Sequence, residues 1–230
     1  SDDAEESVSG GSVTLSSSDL ELTQENDNQV VGIRFQDINI PRGAVIENAY
    51  IEFECDEASS VSTSLTLRGE SSDNALSFGS SSYNISSRAD TSSSVNWNSL
   101  PSWSVDQKYQ TPNLSSIVQE IVNRGGWNSG NSLSFTITGS GTRVAESYDG
   151  ESQNAPLLYV KYSPTGTACV RSNGDANGDG RAALYDYAVW ANYFAPFVRN
   201  YGGPTVGDFN CDNYVDLTDY AIWANYFTPI

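Results

Sequence analysis

Histidine is absent from this 230-residue chain, and cysteine occurs only three times. The lack of histidine removes the most common general base, the Ser-His-Asp and Cys-His nucleophilic sites, and nearly every zinc site. Acidic side chains that could act as catalytic pairs are present, but the sequence sets no pair apart from the others. The composition therefore predicts a protein that is not an enzyme.

Basic residues are scarce, since 11 Lys and Arg stand against 29 Asp and Glu for a formal net charge of −18. A surface of this charge repels phosphate backbones and anionic membranes and attracts cations. The sequence also lacks an apolar run of the ~20 residues that a membrane-spanning helix needs. We therefore expect neither nucleic-acid binding nor membrane insertion.

Polar positions are filled mainly by Ser, Asn, Thr and Gly, a composition that is common in secreted β-rich proteins. The chain begins at Ser1 rather than Met, as it would after removal of an export signal. Both features favour a secreted or cell-surface location.

Up to about residue 163, apolar residues alternate with polar ones in short runs separated by turn signals. In the run 49–56, the residues predicted to point inward are Ala49, Ile51, Phe53 and Cys55. The runs 30–40, 63–70, 132–140 and 156–163 have the same pattern. One helix is predicted over 113–126, with Asn113 as its N-cap and Gly125 at its end. The pattern is typical of an antiparallel β-sandwich or jelly roll.

A turn-rich stretch without periodicity, 164–174, marks a domain boundary. The predicted organisation is an acidic N-terminal segment (1–11), a β domain (12–163), a linker (164–174) and a C-terminal module (175–230) with repeats at 175–196 and 208–229. All acidic residues after the boundary are aspartates, and all lie within the two repeats. Charge that serves only solubility would be spread more evenly, so these aspartates have a specific role.

The stretch 175-DANGDGRAALYD-186 returns as 208-DFNCDNYVDLTD-219, and the tails that follow are YAVWANYF and YAIWANYF. Calcium loops of this length place oxygen ligands at positions 1, 3, 5, 7, 9 and 12, and position 7 uses its backbone carbonyl. The predicted ligands are Asp175, Asn177, Asp179, Arg181 and Asp186 in the first loop, and Asp208, Asn210, Asp212, Tyr214, Asp216 and Asp219 in the second. Such clusters also form ordinary turns, but two such ligand patterns in register favour two Ca²⁺ sites.

A short helix is predicted after each loop. Its apolar stripe comprises Leu184, Tyr187, Ala188, Ala191 and Phe194 in the first repeat, and Leu217, Tyr220, Ala221, Ala224 and Phe227 in the second. We expect the two stripes to pack face to face and calcium to be part of the fold, because about 60 residues bury little apolar surface. A disulfide between Cys169 and Cys211 is also expected, whereas Cys55 is predicted to be a buried apolar residue.

Two loop-helix repeats with Asp rather than Glu at position 12 resemble the dockerin family over roughly residues 169–230. The resemblance implies a small all-α calcium module whose helices dock onto a cohesin domain. The implied docking surface comprises Tyr187, Trp190, Tyr193, Tyr220, Trp223 and Tyr226, with the two tryptophans as exposed anchors. Core packing is the alternative role for these aromatic residues.

The segments 32–53, 113–127 and 136–162 resemble jelly-roll domains of the DNRLRE type, which are related to carbohydrate-binding modules. The resemblance implies a non-catalytic domain that holds a structural calcium or an acidic polysaccharide. Trp97, Trp103 and Trp127 are the candidates for stacking on sugar rings, with core packing as the alternative. Glu146 and Asp149, together with Asp19 and Glu21, are candidates for a further calcium, with a solvated surface as the alternative.

Two functions fit these features. The first is a non-catalytic extracellular structural protein that assembles with itself, head to tail, through calcium-dependent docking into a filament or surface layer. The alternative is a carbohydrate-binding module that its dockerin tethers to a cohesin-like scaffold.

Overall fold

A computed structural model describes residues 2–163, 174–178, 180–198, 203–210 and 214–228. The chain divides into two compact units, Ser1–Tyr162 and Ser163–Ile230, here called the β unit and the helical unit. Several predicted features lie outside the described residues, namely Cys169, Cys211, Asp179, Asp212 and nearly all of the linker 164–174. The disulfide and these two ligands therefore stay predictions.

The β unit consists of antiparallel strands and one helix, as the alternating pattern predicted. Its elements are β1 (Asp3–Ser7), β2 (Val13–Thr14), β3 (Asp19–Glu21), β4 (Gln29–Phe35), β5 (Val45–Glu54), β6 (Ser64–Glu70), β7 (Asp90–Trp97), β8 (Lys108–Gln110), α1 (Ser115–Val122), β9 (Leu133–Ser140), β10 (Val144–Glu146) and β11 (Leu157–Ser163). The mainly β fold is thus confirmed.

The strands form a six-stranded sheet in the order β2-β1-β4-β9-β6-β7, a three-stranded sheet β11-β5-β8 and the pair β10-β3. One hydrophobic core joins both larger sheets and α1, and it includes Val31, Leu67, Phe53 and Ile117. The four residues predicted to point inward are all buried, namely Ala49, Ile51 and Phe53 in β5 and Cys55 directly after it. Antiparallel sheets that share one core are consistent with a β-sandwich.

The helix α1 begins slightly later than predicted. Its first residue is Ser115, and Asn113 lies one residue before the N-cap. The Asn113 Oδ1 atom still accepts the N–H of Ser115 at 2.9 Å, and it also accepts the N–H of Ala49 at 3.1 Å. Asn113 therefore ties the start of the helix to strand β5.

The acidic segment 1–11 is not outside the β domain, so that part of the predicted organisation was wrong. Strand β1 pairs with β4 over five residues and with β2 on its other side. The buried carboxylates of β1 each accept a backbone N–H group. Asp3 accepts that of Tyr148 (2.8 Å), Glu5 that of Glu21 (2.8 Å) and Glu6 that of Ile85 (2.7 Å). The strand lacks the apolar alternation that marks the others, which is why the sequence pattern missed it.

The described part of the helical unit contains α2 (Leu184–Tyr193), a 3₁₀ turn (Gly203–Val206) and α3 (Leu217–Tyr226). Its small core comprises Ala176, Ala182, Trp190, Phe209, Val215 and Trp223. Among the helices of the described residues, none is long and apolar enough to cross a membrane.

Candidate calcium and docking site

The last aspartate of each repeated loop lies at the centre of the helical unit. Asp186 and Asp219 are both completely buried. In the first loop, Asp186 Oδ1 accepts the N–H groups of Ala176 (2.8 Å) and Asn177 (3.2 Å), and Oδ2 accepts that of Ala183 (2.7 Å). The carboxylate therefore joins the start and the end of the loop to the first turn of α2.

The second loop repeats this arrangement at the equivalent positions. Asp219 Oδ1 accepts the N–H groups of Phe209 (2.7 Å) and Asn210 (3.0 Å), and Oδ2 accepts that of Asp216 (2.9 Å). Each carboxylate also lies at a helix N-terminus, where the helix dipole favours negative charge. The sequence repeat is thus a repeat of hydrogen-bond geometry.

The first aspartate of the loop fixes its tight turn. Asp175 Oδ1 accepts the N–H of Gly178 and Oδ2 accepts that of Gly180, both at 2.7 Å. Both glycines have φ in the left-handed region, 76° and 86°, which glycine adopts at little cost. Asp208, the equivalent of Asp175, is 1% exposed.

The donor set in the described parts of the loops fits a hard cation. Its members supply carboxylate, carboxamide or backbone carbonyl oxygens, and they are Asp175, Asn177, Arg181, Asp186, Asp208, Asn210, Tyr214, Asp216 and Asp219. Flexible oxygen sets of this kind suit Ca²⁺, whereas Mg²⁺ demands tighter octahedral geometry. The residues present are therefore compatible with calcium in both loops.

The two tryptophans of the helices connect the repeats to each other. Trp190 Nε1 donates to the carbonyl of Asp216 at 2.8 Å, and Trp223 Nε1 donates to the carbonyl of Ala183 at 2.9 Å. Both indoles are buried, at 9% and 8% exposure. The prediction that they are exposed anchors was wrong, because each indole instead holds the loop of the other repeat.

A second pair of reciprocal contacts follows the ends of the helices. The N–H of Ala195 donates to the carbonyl of Val215, and the N–H of Thr228 donates to that of Ala182, both at 3.0 Å. The donors occupy equivalent positions in the two repeats, and so do the acceptors. The helical unit therefore has approximate internal two-fold symmetry.

The predicted apolar stripes lie mostly at the surface, and of their members Phe227 is half-buried and packs against the core. The buried or half-buried side of α2 carries Asp186, Val189 and Trp190, whereas Leu184 is 65% exposed. Asp186 must turn into its loop, and residues three and four positions later share its side of the helix. The loop carboxylate therefore sets the rotation of the helix and leaves the predicted stripe at the surface.

The exposed stripes join into one surface, which we call the helix-pair face. It consists of Leu184, Tyr187, Ala188, Ala191, Leu217, Tyr220, Ala221 and Ala224, all exposed. Tyr187 and Tyr220 are each 39% exposed, and their rings meet edge to face with centroids 6.4 Å apart. Of the other predicted docking residues, Tyr193 and Tyr226 are also exposed.

The β unit has an acidic cluster that contains two of the sequence candidates. Asp19 lies directly opposite Glu146 in the β3–β10 pair. Carboxylate oxygens of Asp19, Asp56 and Glu57 lie within 4.8 Å of one another. Burial and the neighbouring Asp56 raise the pKa of Glu146 to about 7. Sequence reasoning missed Asp56 and Glu57, because only the fold brings the end of β5 beside β3.

An acidic cleft of about 360 Å³ lies beside this cluster. Its lining includes Glu5, Asp19, Glu21, Glu25 and Gln29. Burial and a hydrogen bond with the Glu21 carboxyl raise the pKa of Glu5 to about 9. Glu5 is therefore protonated at neutral pH unless a cation replaces the proton.

The tryptophans proposed to stack on sugars lie in the core, so that prediction was wrong. Trp97, Trp103 and Trp127 are 8%, 2% and 1% exposed. The first two rings lie 6.0 Å apart, and both pack on Phe53. Trp127 Nε1 donates to the carbonyl of Ile40 at 2.9 Å. Rings enclosed in this way cannot present a face to a sugar.

Comparison with known proteins gives no family, since no protein-family model and no curated protein matches the chain. The two repeated loops and the helix-pair face are therefore the features of this chain that bear on its function.

Proposed function

We propose that this protein is a non-catalytic extracellular structural protein that assembles through calcium-dependent docking of its helical unit. One observation carries the proposal. The two loops place buried carboxylates at equivalent positions, and the same carboxylates rotate the helices so that an apolar face is exposed. A dockerin-like calcium module is the class of domain that fits this combination.

The loop residues would hold one ion per loop. Asp175, Asn177, Asp186 and the Arg181 carbonyl would bind it in the first loop, and the equivalent residues would bind it in the second. Bound Ca²⁺ would neutralise carboxylates that otherwise repel one another. Asp186 and Asp219 hold the loop backbone against the helix, and the reciprocal indole contacts transmit the order of one loop to the other.

The helix-pair face provides the docking surface of this proposal. Contiguous exposed apolar patches on proteins commonly mark interaction sites. Calcium is plentiful outside cells and scarce inside them, so assembly would begin on export. The partner would be a further copy of this chain or a cohesin-like domain, and the product of self-assembly would be a filament or surface layer.

A further calcium in the β unit belongs to the same proposal. Asp19, Asp56 and Glu57 are close enough to share a cation, and Glu146 lies opposite Asp19. A cation there would connect β3 to the end of β5 and stabilise the body that carries the docking unit.

The proposal is tested with the full chain after chelation. Calorimetric titration should show one strong calcium site per loop. Asp175→Asn should remove the site of the first loop and weaken that of the second, because the indole contacts couple the two loops. Negative-stain electron microscopy and sedimentation should show assemblies that form with calcium, dissolve on chelation and return when calcium is restored. Assembly that proceeds equally well in chelator would contradict the mechanism.

Carbohydrate binding is the second candidate, and one observation favours it. Tyr50 and Tyr159 stack on the β11-β5-β8 sheet with ring centroids 4.8 Å apart, and Tyr159 is 43% exposed. Exposed aromatic rings of this kind can stack on sugars. A glycan array that finds a ligand whose binding is lost in Tyr159→Ala would support this function, and an array without ligands would oppose it.

A further inference from the structure

We infer that the helix-pair face binds the same face of a second copy of this chain, so that the helical unit is a two-fold self-docking joint. The inference rests on the proposed function and names its partner. It also replaces head-to-tail contact at this surface with a symmetric pair.

The helices α2 and α3 expose no charge in a strongly acidic chain. The chain carries a net charge of −18, yet α2 and α3 expose no charged side chain, because their only charged residues, Asp186 and Asp219, are completely buried. A basic partner would find no carboxylate to bind on the helices. A second acidic copy meets no like charge on them, so this face suits close contact between two such molecules.

The side chains of the helix-pair face are leucines, tyrosines and alanines. Leu184 and Leu217 are 65% and 66% exposed and occupy the first position of their helices. Tyr187 and Tyr220 meet between the helices, and alanines complete the surface. Leucine, tyrosine and alanine side chains bury favourably against the same set of side chains, and tyrosine is enriched at interfaces.

The helix-pair face has the symmetry that a contact between two identical copies requires. An isologous contact requires a surface that is complementary to itself after rotation by half a turn. The helix-pair face already repeats itself about an internal two-fold, since Leu184, Tyr187 and Ala188 correspond to Leu217, Tyr220 and Ala221. A second copy can therefore set either of its helices against either helix of the first. Because a two-fold contact closes on itself, a filament would need another contact elsewhere on the chain.

The test is sedimentation velocity of the full chain in calcium, over about a hundredfold range of protein concentration. We expect a dimer whose formation strengthens as salt is added, because salt screens repulsion between two molecules of charge −18. An interface built from opposite charges would weaken with salt instead.

A pair of variants localises the contact. Leu184→Asn together with Leu217→Asn should raise the dimer dissociation constant by about tenfold or more, because both leucines lose their apolar contacts. The matched control is Leu157→Asn in the β unit, where the leucine is 62% exposed, and it should leave dimerisation unchanged. Calcium binding, measured by calorimetry, should persist in all variants because the substituted leucines are at the surface.

The outcomes separate this inference from the proposed function. A wild-type chain that binds calcium yet stays monomeric overturns the inference alone, and so does a double variant that dimerises like the wild type. If calcium does not bind but the leucine-dependent dimer forms, the proposed calcium mechanism fails and the joint stands. A calcium-free monomer would overturn both.

Discussion

The two units of this chain are stabilised by different means. The β unit has a large apolar core in which Phe53, Phe135 and Trp103 are almost completely buried. In the described part of the helical unit the core comprises six apolar residues, and beside them Asp186, Asp208 and Asp219 are buried as well. Hydrophobic burial accounts for the first unit. The stability of the helical unit depends on the N–H groups and cations that neutralise its buried carboxylates, so we expect it to change with the calcium concentration of the solution.

The largest effect is expected when the buried Asp219 carboxylate is removed from the helical unit. Asp219→Ala removes the acceptor of three N–H groups, that of buried Phe209 and those of half-buried Asn210 and Asp216, at roughly 1–3 kcal/mol for each group. Relative to the wild type in the same buffer, with and without calcium, we expect loss of protection in α2 and α3 but not in the β unit, measured by hydrogen exchange and mass spectrometry. The matched control is Asp216→Ala, which removes one cap to Thr218 N and should cost only about 1 kcal/mol. Equal effects of the two variants would contradict the central role of Asp219.

The reverse experiment attacks the apolar core of the β unit. Phe53→Ala should lower the free energy of unfolding of that unit by about 3–5 kcal/mol, because a buried ring leaves a cavity. The calcium response of the helical unit should not change. Leu157→Ala, at an exposed position, should shift stability by less than about 0.5 kcal/mol. A Phe53 variant that also loses calcium binding in the two loops would show that the two units are not energetically separate.

The acidic strand β1 gives the β unit its own dependence on pH. The pKa of Glu5 is raised to about 9 in the folded state from an ordinary value of 4.5. Between pH 4.5 and about pH 9, folding requires Glu5 to take up a proton. The contribution of protonated Glu5 to the stability of the folded state is therefore fully present below the unfolded pKa and declines as pH rises. In chelator, Glu5→Gln should therefore raise the melting temperature by a few degrees at about pH 8 and much less at about pH 5.

The control for this experiment is Glu25→Gln, an exposed carboxylate in the lining of the same cleft. It should leave the pH dependence of stability as it is in the wild type. If Glu5→Gln shows the same pH dependence as the wild type, the burial of a protonated Glu5 is refuted.

The smallest expected effect compares the two repeats with each other. Asp216 caps α3, whereas the equivalent residue before α2 is Ala183, which has no side-chain cap. Ala183→Asp should add the missing cap and stabilise α2 by about 1 kcal/mol. It also supplies the first loop with a position-9 oxygen, so calcium affinity should rise in that loop. Unchanged protection of α2 by hydrogen exchange would contradict this prediction.

The sequence predicted those features that depend on periodicity or on fixed spacing. Alternation identified β5 and its inward residues, and the spacing of aspartates identified both loops. It failed where a polar group decides the geometry. Glu5 and Glu6 are buried in a strand that was predicted as an acidic segment outside the β domain, and Asp186 rotates α2 away from its most apolar orientation. Hydropathy alone does not register a carboxylate that backbone N–H groups hold in the interior.

Because each indole donates its hydrogen bond to a carbonyl of the other repeat, we expect the two repeats of the helical unit to fold together. Trp190 requires the Asp216 carbonyl and Trp223 requires the Ala183 carbonyl, so neither repeat can bury its own tryptophan alone. A chain that ended between the repeats would leave Trp190 without its acceptor and would be open to proteases. The protein can therefore gain or lose the folded helical unit only as a whole.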